Sequence, residues 1–174
     1  LLARVEEPHA RGSFLVAAVF DAFLLIYEDR VADLKRIATG GTGVLPDGDL
    51  HPDLVHRLAS EAAKSARHVL NMCIRAMDYV PPVDITFGEF LRALITADSD
   101  LVPDDDRRYR VAFIESFRKW GIYPRDVRTL SEESLRWSSP AHLPTDLPEE
   151  LGILRRALFN WQPGEPRENI FKEI

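Results

Sequence analysis

Apolar residues at helical spacing run through most of the chain and predict a series of α-helices. The first helix is expected over 12–39, and its stretch 14–27 is apolar on nearly every side, interrupted only by Asp21. A helix of this kind is normally buried, so we expect it to be the most buried element of the protein. On this basis Phe20→Ala should cost about 3–5 kcal/mol of stability and Leu24→Ala about 2–5 kcal/mol.

Further helices are predicted over about 52–78, 86–98 and 106–121, with a short one starting at Ser131 and a last one over 148–161. No alternation of apolar and polar residues typical of a β-strand persists along the chain. The sequence therefore predicts an all-α fold, a bundle-like lobe of helices packed around a buried central helix.

Several residues mark the ends of these helices. Thr86, with Glu89 three residues later, has the pattern of a capping box. The sequence GGTG at 40–43 should stop the first helix, and because it follows a helix rather than a strand we do not expect a phosphate-binding loop. Ser13 is more typical of a helix cap than of a nucleophile, and there is no Gly-x-Ser-x-Gly elbow.

Composition narrows the class of protein. The 174 residues fit one domain with an appendage, and 45% hydrophobic with 29% charged residues is typical of a soluble globular protein. The net charge of −6 argues against a nucleic-acid surface, and the apolar stretch 14–27 looks too short to span a membrane. The single Cys73 should pack as a small apolar residue, and nothing indicates a compartment. Because Leu1 stands first, we expect a piece of a longer chain.

A metal site is not expected within the chain. The H-E-x-x-H motif is absent, and the spacings between His51, His56 and His68 do not place two imidazoles on one helix face. These histidines are therefore predicted to lie on the surface.

Two neighbouring segments of the chain are strongly charged: 98–106 is acidic and 107–110 is basic. An EF-hand would need Asp or Asn at Val102 and Gly at Pro103. We therefore expect 98–106 to be a solvated turn, with one aspartate capping the next helix, and 107–110 to be a solvated helix face.

Several short motifs occur in an order that resembles one protein family. His9, two residues and Gly12 precede the long apolar helix, and Gly40-Gly41-Thr42 follows it. Further along are Arg75-Ala76-Met77 with Tyr79, the prolines Pro81-Pro82, Phe90 with Leu91-Arg92-Ala93, and Phe117 before Gly121-Ile122. This order resembles the region of thermolysin-like zinc metallopeptidases, the gluzincin group, that contains a catalytic histidine and a helical C-terminal lobe.

The resemblance covers about 9–122 and carries several implications. It implies a lobe over 1–122 that resembles the C-terminal domain of those peptidases. Residues 123–174 fall outside the resemblance and are expected to form an irregular extension with one further helix. The resemblance also implies that His9 donates a hydrogen bond to the oxyanion of the tetrahedral intermediate, with Arg11 and Gly12 lining the rim of the substrate site. The zinc ligands and the general-base glutamate of the family would lie upstream, on an N-terminal catalytic lobe of the same parent chain that binds the peptide substrate together with this one.

The resemblance also shows one departure and leaves one alternative. The family usually has an aspartate five residues before the histidine; here that position is Arg4, and Glu6 and Glu7 are near. Because the zinc ligands and the general base would lie upstream, the isolated chain should be inactive. The alternative is a non-catalytic interaction module that has kept the helical scaffold. A helical DNA-binding unit is disfavoured by the net charge.

Overall fold

The computed structural model describes residues 5–82, 84–138 and 152. The chain divides into two units, Leu1–Trp137 and Ser138–Ile174, and nearly all of the second, including the predicted helix over 148–161, lies outside the described residues. The helices are α1 (Pro8–Ala38), α2 (Pro52–Ala76), α3 (Phe87–Leu101), α4 (Tyr109–Lys119) and α5 (Glu132–Leu135). Within the described ranges there is no strand, which confirms the all-α prediction.

Local capping decides where the helices begin. α1 starts at Pro8, four residues before the predicted start, because the Glu7 carboxylate accepts hydrogen bonds from the backbone N–H groups of His9 and Ala10. Proline suits such a first position because it has no N–H to satisfy. In α3 the predicted capping box is present: Thr86 Oγ1 accepts from the Glu89 N–H, and the Glu89 carboxylate accepts from the Thr86 N–H.

The predicted glycine stop of α1 is confirmed. Gly40 adopts a left-handed φ of 60°, and the Gly41 N–H donates to the Arg36 carbonyl at 2.8 Å. This bond satisfies a carbonyl that the helix end would otherwise leave free. At α4 an aspartate bonds to the first turn, but the N-cap position is Arg108, which makes no side-chain cap hydrogen bond. The Asp105 carboxylate accepts from the backbone N–H groups of Tyr109 and Arg110 at 2.8 and 2.9 Å, so it holds the first turn of α4.

The most buried helices are α3 and α4, and the prediction that α1 would be the most buried is wrong. In α3 the buried residues include Leu91 and the whole run 93–99. In α1 the buried positions are Ala18, Ala22, Ile26 and Val31, whereas Phe20 is 57% exposed. A helix that is apolar on every side is expected to be buried, but its sequence does not indicate which neighbouring element covers each side.

The inner face of α1 is made of small residues that allow α4 to approach closely. The Ser116 hydroxyl of α4 donates to the Ala18 carbonyl of α1. Asp21, the polar interruption in the apolar stretch, accepts from Lys119 Nζ and Trp120 Nε1, both at 2.7 Å. These bonds lower the pKa of the Asp21 carboxyl, first through Lys119 and then through Trp120. Asp21 therefore links α1 to the end of α4, which explains why a charged residue occurs in this apolar helix.

Towards its C-terminal end, α1 is linked to α2 by an ion pair. Arg30 donates from Nε and Nη2 to Glu61 at 3.0 and 2.6 Å, and Lys64 pairs with the same carboxylate at 2.7 Å. Lys64 and then Arg30 lower the pKa of Glu61 to about 2.

In the described part of the chain α1 is the one helix long and apolar enough, by length and composition alone, to cross a membrane. The sequence had indicated that the apolar stretch 14–27 is too short for this. This helix contacts both α2 and α4.

The segment after α4 packs against α3. The predicted short helix is present as α5, capped by Ser131, and its Leu135 is fully buried. Arg92 of α3 donates to the Leu135 carbonyl at 3.0 Å and lies 3.6 Å from the centre of the Trp137 ring. The residues up to Trp137 therefore contribute to the same core as the helices before them.

Two glycines allow a matched test of this packing. A Cβ on Gly88 would lie 2.6 Å from the Pro124 Cα and 3.0 Å from the Tyr123 carbonyl oxygen, whereas a Cβ on Gly12 would have no neighbour within 4 Å. We expect Gly88→Ala to lower the free energy of unfolding by about 1–3 kcal/mol through steric strain. Gly12→Ala should raise it by about 0.5–1 kcal/mol because alanine favours a helix interior. Urea denaturation of both variants measures the difference, and equal effects would contradict the close approach.

Candidate functional site

The histidine singled out by the sequence lies in the first turn of α1. Its side chain is 97% exposed, and its Nδ1 is 2.8 Å from Glu7 Oε1. The same Glu7 carboxylate caps the helix, so one residue fixes both the helix start and the imidazole. The Ala10 N–H, then the His9 ring and then the His9 N–H lower the pKa of Glu7, which favours the charged carboxylate beside the ring.

This geometry determines what the imidazole can do. Within the described part of the chain His9 Nε2 has no hydrogen-bond partner, and it is the nitrogen available to a ligand. In the imidazolium form both ring nitrogens carry protons: Nδ1–H donates to Glu7, and Nε2–H remains to donate outward.

Because the helix begins at Pro8, its periodicity decides which neighbours share the face of His9. Gly12 is three residues on and lies on the same face, whereas Arg11 is two residues on and points to roughly the opposite side. Arg11 Nη1 donates to the Val5 carbonyl at 3.1 Å, and Arg11 lines a cavity of about 400 Å³ with Gly88, Tyr123 and other residues. The fold therefore brings His9 and Gly12 together and separates Arg11 from them.

An apolar groove lies along the same side of α1. The helices α1 and α2 run antiparallel, and between them is an open cavity of about 690 Å³. We call it the apolar groove; the residues that define it are Val16, Val19, Phe20 and Phe23 of α1 with Leu70 and Cys73 of α2. Burial raises the pKa of the Cys73 thiol to about 11, so this cysteine is a small apolar side chain, as predicted. The groove was not predicted from the sequence, because the all-round apolar pattern of α1 indicated that neighbouring elements cover every side of this helix.

The other histidines are dispersed. His51 and His56 are exposed, as predicted, and His51 Nδ1 accepts from the Asp53 N–H at the start of α2. The surface prediction is wrong for His68, which is half-buried with its ring 4.4 Å from that of Tyr109. Burial lowers the pKa of His68. Among the described residues there is no group of three or more His, Cys, Asp or Glu that could hold a metal ion.

A buried ionic cluster is the second feature that the sequence analysis missed. Asp98 was expected in a solvated turn and Arg110 on a solvated face, but both are buried, and Asp98 belongs to α3. Arg110 Nη1 pairs with Asp98 at 2.9 Å, and Arg110 Nε pairs with Glu132 at 2.7 Å. Arg110 also donates to the carbonyls of Val102 and Pro103. The guanidinium is thus committed to protein acceptors, and the cluster anchors a loop and α5 rather than offering a free charge to a ligand.

The chain has no match among protein-family models, curated proteins or solved structures. The described residues form an all-α fold that carries an exposed histidine in the first turn of a helix and an apolar groove along that helix.

Proposed function

We propose that the chain is the C-terminal helical lobe of a zinc metallopeptidase and that His9 stabilises the oxyanion formed during peptide hydrolysis. The proposal starts from the order of motifs between His9 and Ile122. The observation that carries it is the placement of the imidazole: Nδ1 is held by Glu7 at 2.8 Å, and Nε2 is left to an incoming ligand. A donor oriented by a carboxylate at the start of a helix is of the kind that stabilises an oxyanion electrostatically.

In this proposal zinc is bound outside the described residues, on the N-terminal lobe of the parent chain. When bound, zinc polarises the substrate carbonyl and activates water. The residues of this chain act around that chemistry. His9 Nε2–H donates to the carbonyl oxygen as negative charge develops on it, and Glu7 stabilises the imidazolium through Nδ1–H. Gly12 leaves open space on the same face for the substrate backbone.

Exposure explains why the lobe needs a covering partner. In the His9–Glu7 pair the His9 side chain is almost fully exposed and that of Glu7 more than half exposed, and exposed ion pairs contribute little and are screened by salt. Closing a second lobe and a peptide over this face would exclude water and strengthen every hydrogen bond in the site. The isolated chain should therefore not hydrolyse peptides. Arg11 faces away from His9 and donates to the Val5 carbonyl, so this proposal does not include it among the residues that contact the substrate.

The proposal is tested by His9→Ala in the full-length parent protein. We expect kcat for hydrolysis of a peptide substrate to fall by a factor of about 10² to 10³, the usual effect of removing one oxyanion donor. Zinc content, measured by elemental analysis, and the melting temperature should stay unchanged. His56→Ala, which removes an exposed histidine on α2, is the matched control and should leave kcat as it was.

An unchanged kcat in His9→Ala would refute the catalytic role. Absence of an H-E-x-x-H helix, with a further glutamate on a later helix, in the upstream sequence of the parent would refute the peptidase itself. Either result would favour the non-catalytic interaction module, in which the same scaffold serves only to bind a partner.

A further inference from the structure

The cavity of about 400 Å³ beside Arg11 is formed by three segments of the chain that are far apart in sequence. The residues that define it are Arg11 of α1, Thr86 and Gly88 at the start of α3, and Tyr123 and Arg125 after α4. We call it the arginine cavity. Because helical periodicity turns Arg11 away from His9, this cavity is separate from the face of α1 that carries the histidine.

The segment after α4 is anchored by two buried residues and gives the cavity a fixed wall. The Ile122 side chain is 2% exposed. Gly88 lets the same segment approach α3, because a Cβ at this position would lie 2.6 Å from the Pro124 Cα. Ile122 and Pro124 are buried, whereas Tyr123 and Arg125, which follow each of them, are exposed. This alternation places a phenol and a guanidinium together at the cavity.

The arginine cavity is lined by two guanidinium groups and by no acidic side chain, although the chain as a whole carries a net charge of −6. Arg11 Nη1 donates to the Val5 carbonyl at 3.1 Å, which orients this side chain. Its Nε and Nη2 have no acceptor among the described residues. Arg125 makes no hydrogen bond or ion pair in the described part of the chain. Most N–H groups of the two arginines therefore remain for a ligand.

Glu89 is an acidic residue close enough to interact with Arg125, but its carboxylate is already engaged. It accepts a hydrogen bond from the Thr86 N–H at 2.7 Å as part of the capping box. The Thr86 N–H, then the Thr86 hydroxyl and, as a weaker cause, the charge of Arg125 lower the pKa of Glu89. The positive charge of Arg125 is therefore not neutralised by a direct partner within the described residues.

The chemistry of the arginine cavity fits a phosphate monoester on an aromatic group. A guanidinium binds a phosphate through two parallel N–H···O bonds, and two arginines match the charge of about −2 that a phosphate monoester carries near neutral pH. Tyr123 is 60% exposed, and an aromatic group can stack on its ring. The volume of about 400 Å³ is within the usual range for small-molecule sites.

We propose that the arginine cavity binds the phosphate monoester of a small aromatic molecule, with the phosphate between Arg11 and Arg125 and the ring against Tyr123. This site goes beyond the proposed function and does not depend on it, because its residues take no part in the role of His9. A ligand here joins the start of α1 to the segment after α4, and it stabilises the folded chain by mass action.

The test measures binding of phenyl phosphate to the 174-residue chain by isothermal titration calorimetry in a buffer without phosphate. We expect one site with a dissociation constant below about 1 mM. Arg11→Gln and Arg125→Gln should each weaken binding by about tenfold or more, because each removes charge-assisted hydrogen bonds. Tyr123→Ala should weaken it by about threefold. Arg128→Gln is the matched control and should leave the affinity unchanged, because Arg128 is exposed on the same segment but does not line the cavity.

Two further ligands test the phosphate and the ring separately. Benzoate has the ring with a single negative charge, and inorganic phosphate has no ring; each should bind about threefold more weakly than phenyl phosphate, or weaker still. Melting curves without ligand should match the wild-type chain for all four variants, because the substituted side chains are exposed.

No binding of phenyl phosphate up to millimolar concentration would overturn the proposal, as would equal effects of Arg125→Gln and Arg128→Gln. Equal affinity for benzoate would overturn the phosphate, and equal affinity for inorganic phosphate would overturn the aromatic group. His9→Ala should leave the affinity for phenyl phosphate unchanged, so this proposal and the proposed function fail independently of each other.

Discussion

Replacing Arg110 with alanine is expected to lower the free energy of unfolding by about 3–5 kcal/mol, the usual cost of breaking a buried ion pair on one side. Arg110 is 3% exposed and bonds to Asp98, Glu132 and the Val102 carbonyl at 2.9, 2.7 and 2.8 Å. Without it, Asp98 keeps its buried position but loses its countercharge. The Val102 carbonyl also loses the donor that holds the loop between α3 and α4. The variant therefore loses both an ion pair and a hydrogen bond that fixes this loop.

The pH dependence of this loss has a definite sign. Burial already raises the pKa of Asp98, against the opposing effect of Arg110. In the alanine variant that pKa rises further, so the folded state binds a proton more readily than the unfolded state. The variant therefore gains stability as the pH falls, and its deficit relative to the wild-type chain should be larger at pH 7 than at pH 4.

Urea denaturation at the two pH values measures both effects. Arg118→Ala removes an exposed arginine from the same helix and should change stability by no more than about 0.5 kcal/mol. The double variant Asp98→Asn with Arg110→Met should recover part of the loss, because it leaves no buried charge unpaired. A cost of under 1 kcal/mol for Arg110→Ala would show that the cluster is not a stabilising element.

Phe113→Ala should destabilise the chain by about 3–5 kcal/mol, as expected for a phenylalanine removed from a close-packed core. Phe113 is fully buried, and its ring centre is 6.4 Å from that of the equally buried Phe117. Phe20→Ala, by contrast, should cost about 1 kcal/mol, because more than half of Phe20 is already in water. The sequence had indicated the larger value for Phe20.

Thermal unfolding of the two variants decides between these assignments. For a domain of this size, 1 kcal/mol corresponds to about 2–4 °C in melting temperature, so Phe113→Ala should melt at least 6 °C below the wild-type chain and Phe20→Ala only a few degrees below it. Equal losses would mean that α1 is covered in solution on the side where the structure leaves it open.

The parts of the fold that depend on neighbouring residues were accessible from the sequence. The pair Thr86 and Glu89, the glycines after α1 and the serine before α5 each act on backbone groups a few residues away, and each marks a helix end where it was predicted. The start of α4 at Tyr109 is about three residues later than predicted. The distribution of buried residues could not be predicted from the sequence, because it depends on which helices pack against each other. Asp98 and Arg110 have the composition of surface residues, and only their mutual pairing permits their burial.

For the candidate site, the sequence indicated His9 but not its direction. Placing the helix start at Gly12 left the histidine on a preceding segment without a defined orientation. The Glu7 cap moves the start to Pro8, and from there helical periodicity fixes His9 and Gly12 on one face and Arg11 on another. A shift of four residues in one helix boundary therefore decides which side chains can act together.

The packing of α1 also constrains the order of events during biosynthesis. Ser116 and Lys119, which hold α1 from α4, follow their partners by 98 residues, so at about 5–20 residues per second the ribosome delivers them about 5–20 s later. Glu61 follows Arg30 by only 31 residues. The hairpin of α1 and α2 can therefore form on the nascent chain, while the inner alanine face of α1 stays uncovered until α4 emerges. That interval is when the chain is most exposed to aggregation and most in need of a chaperone.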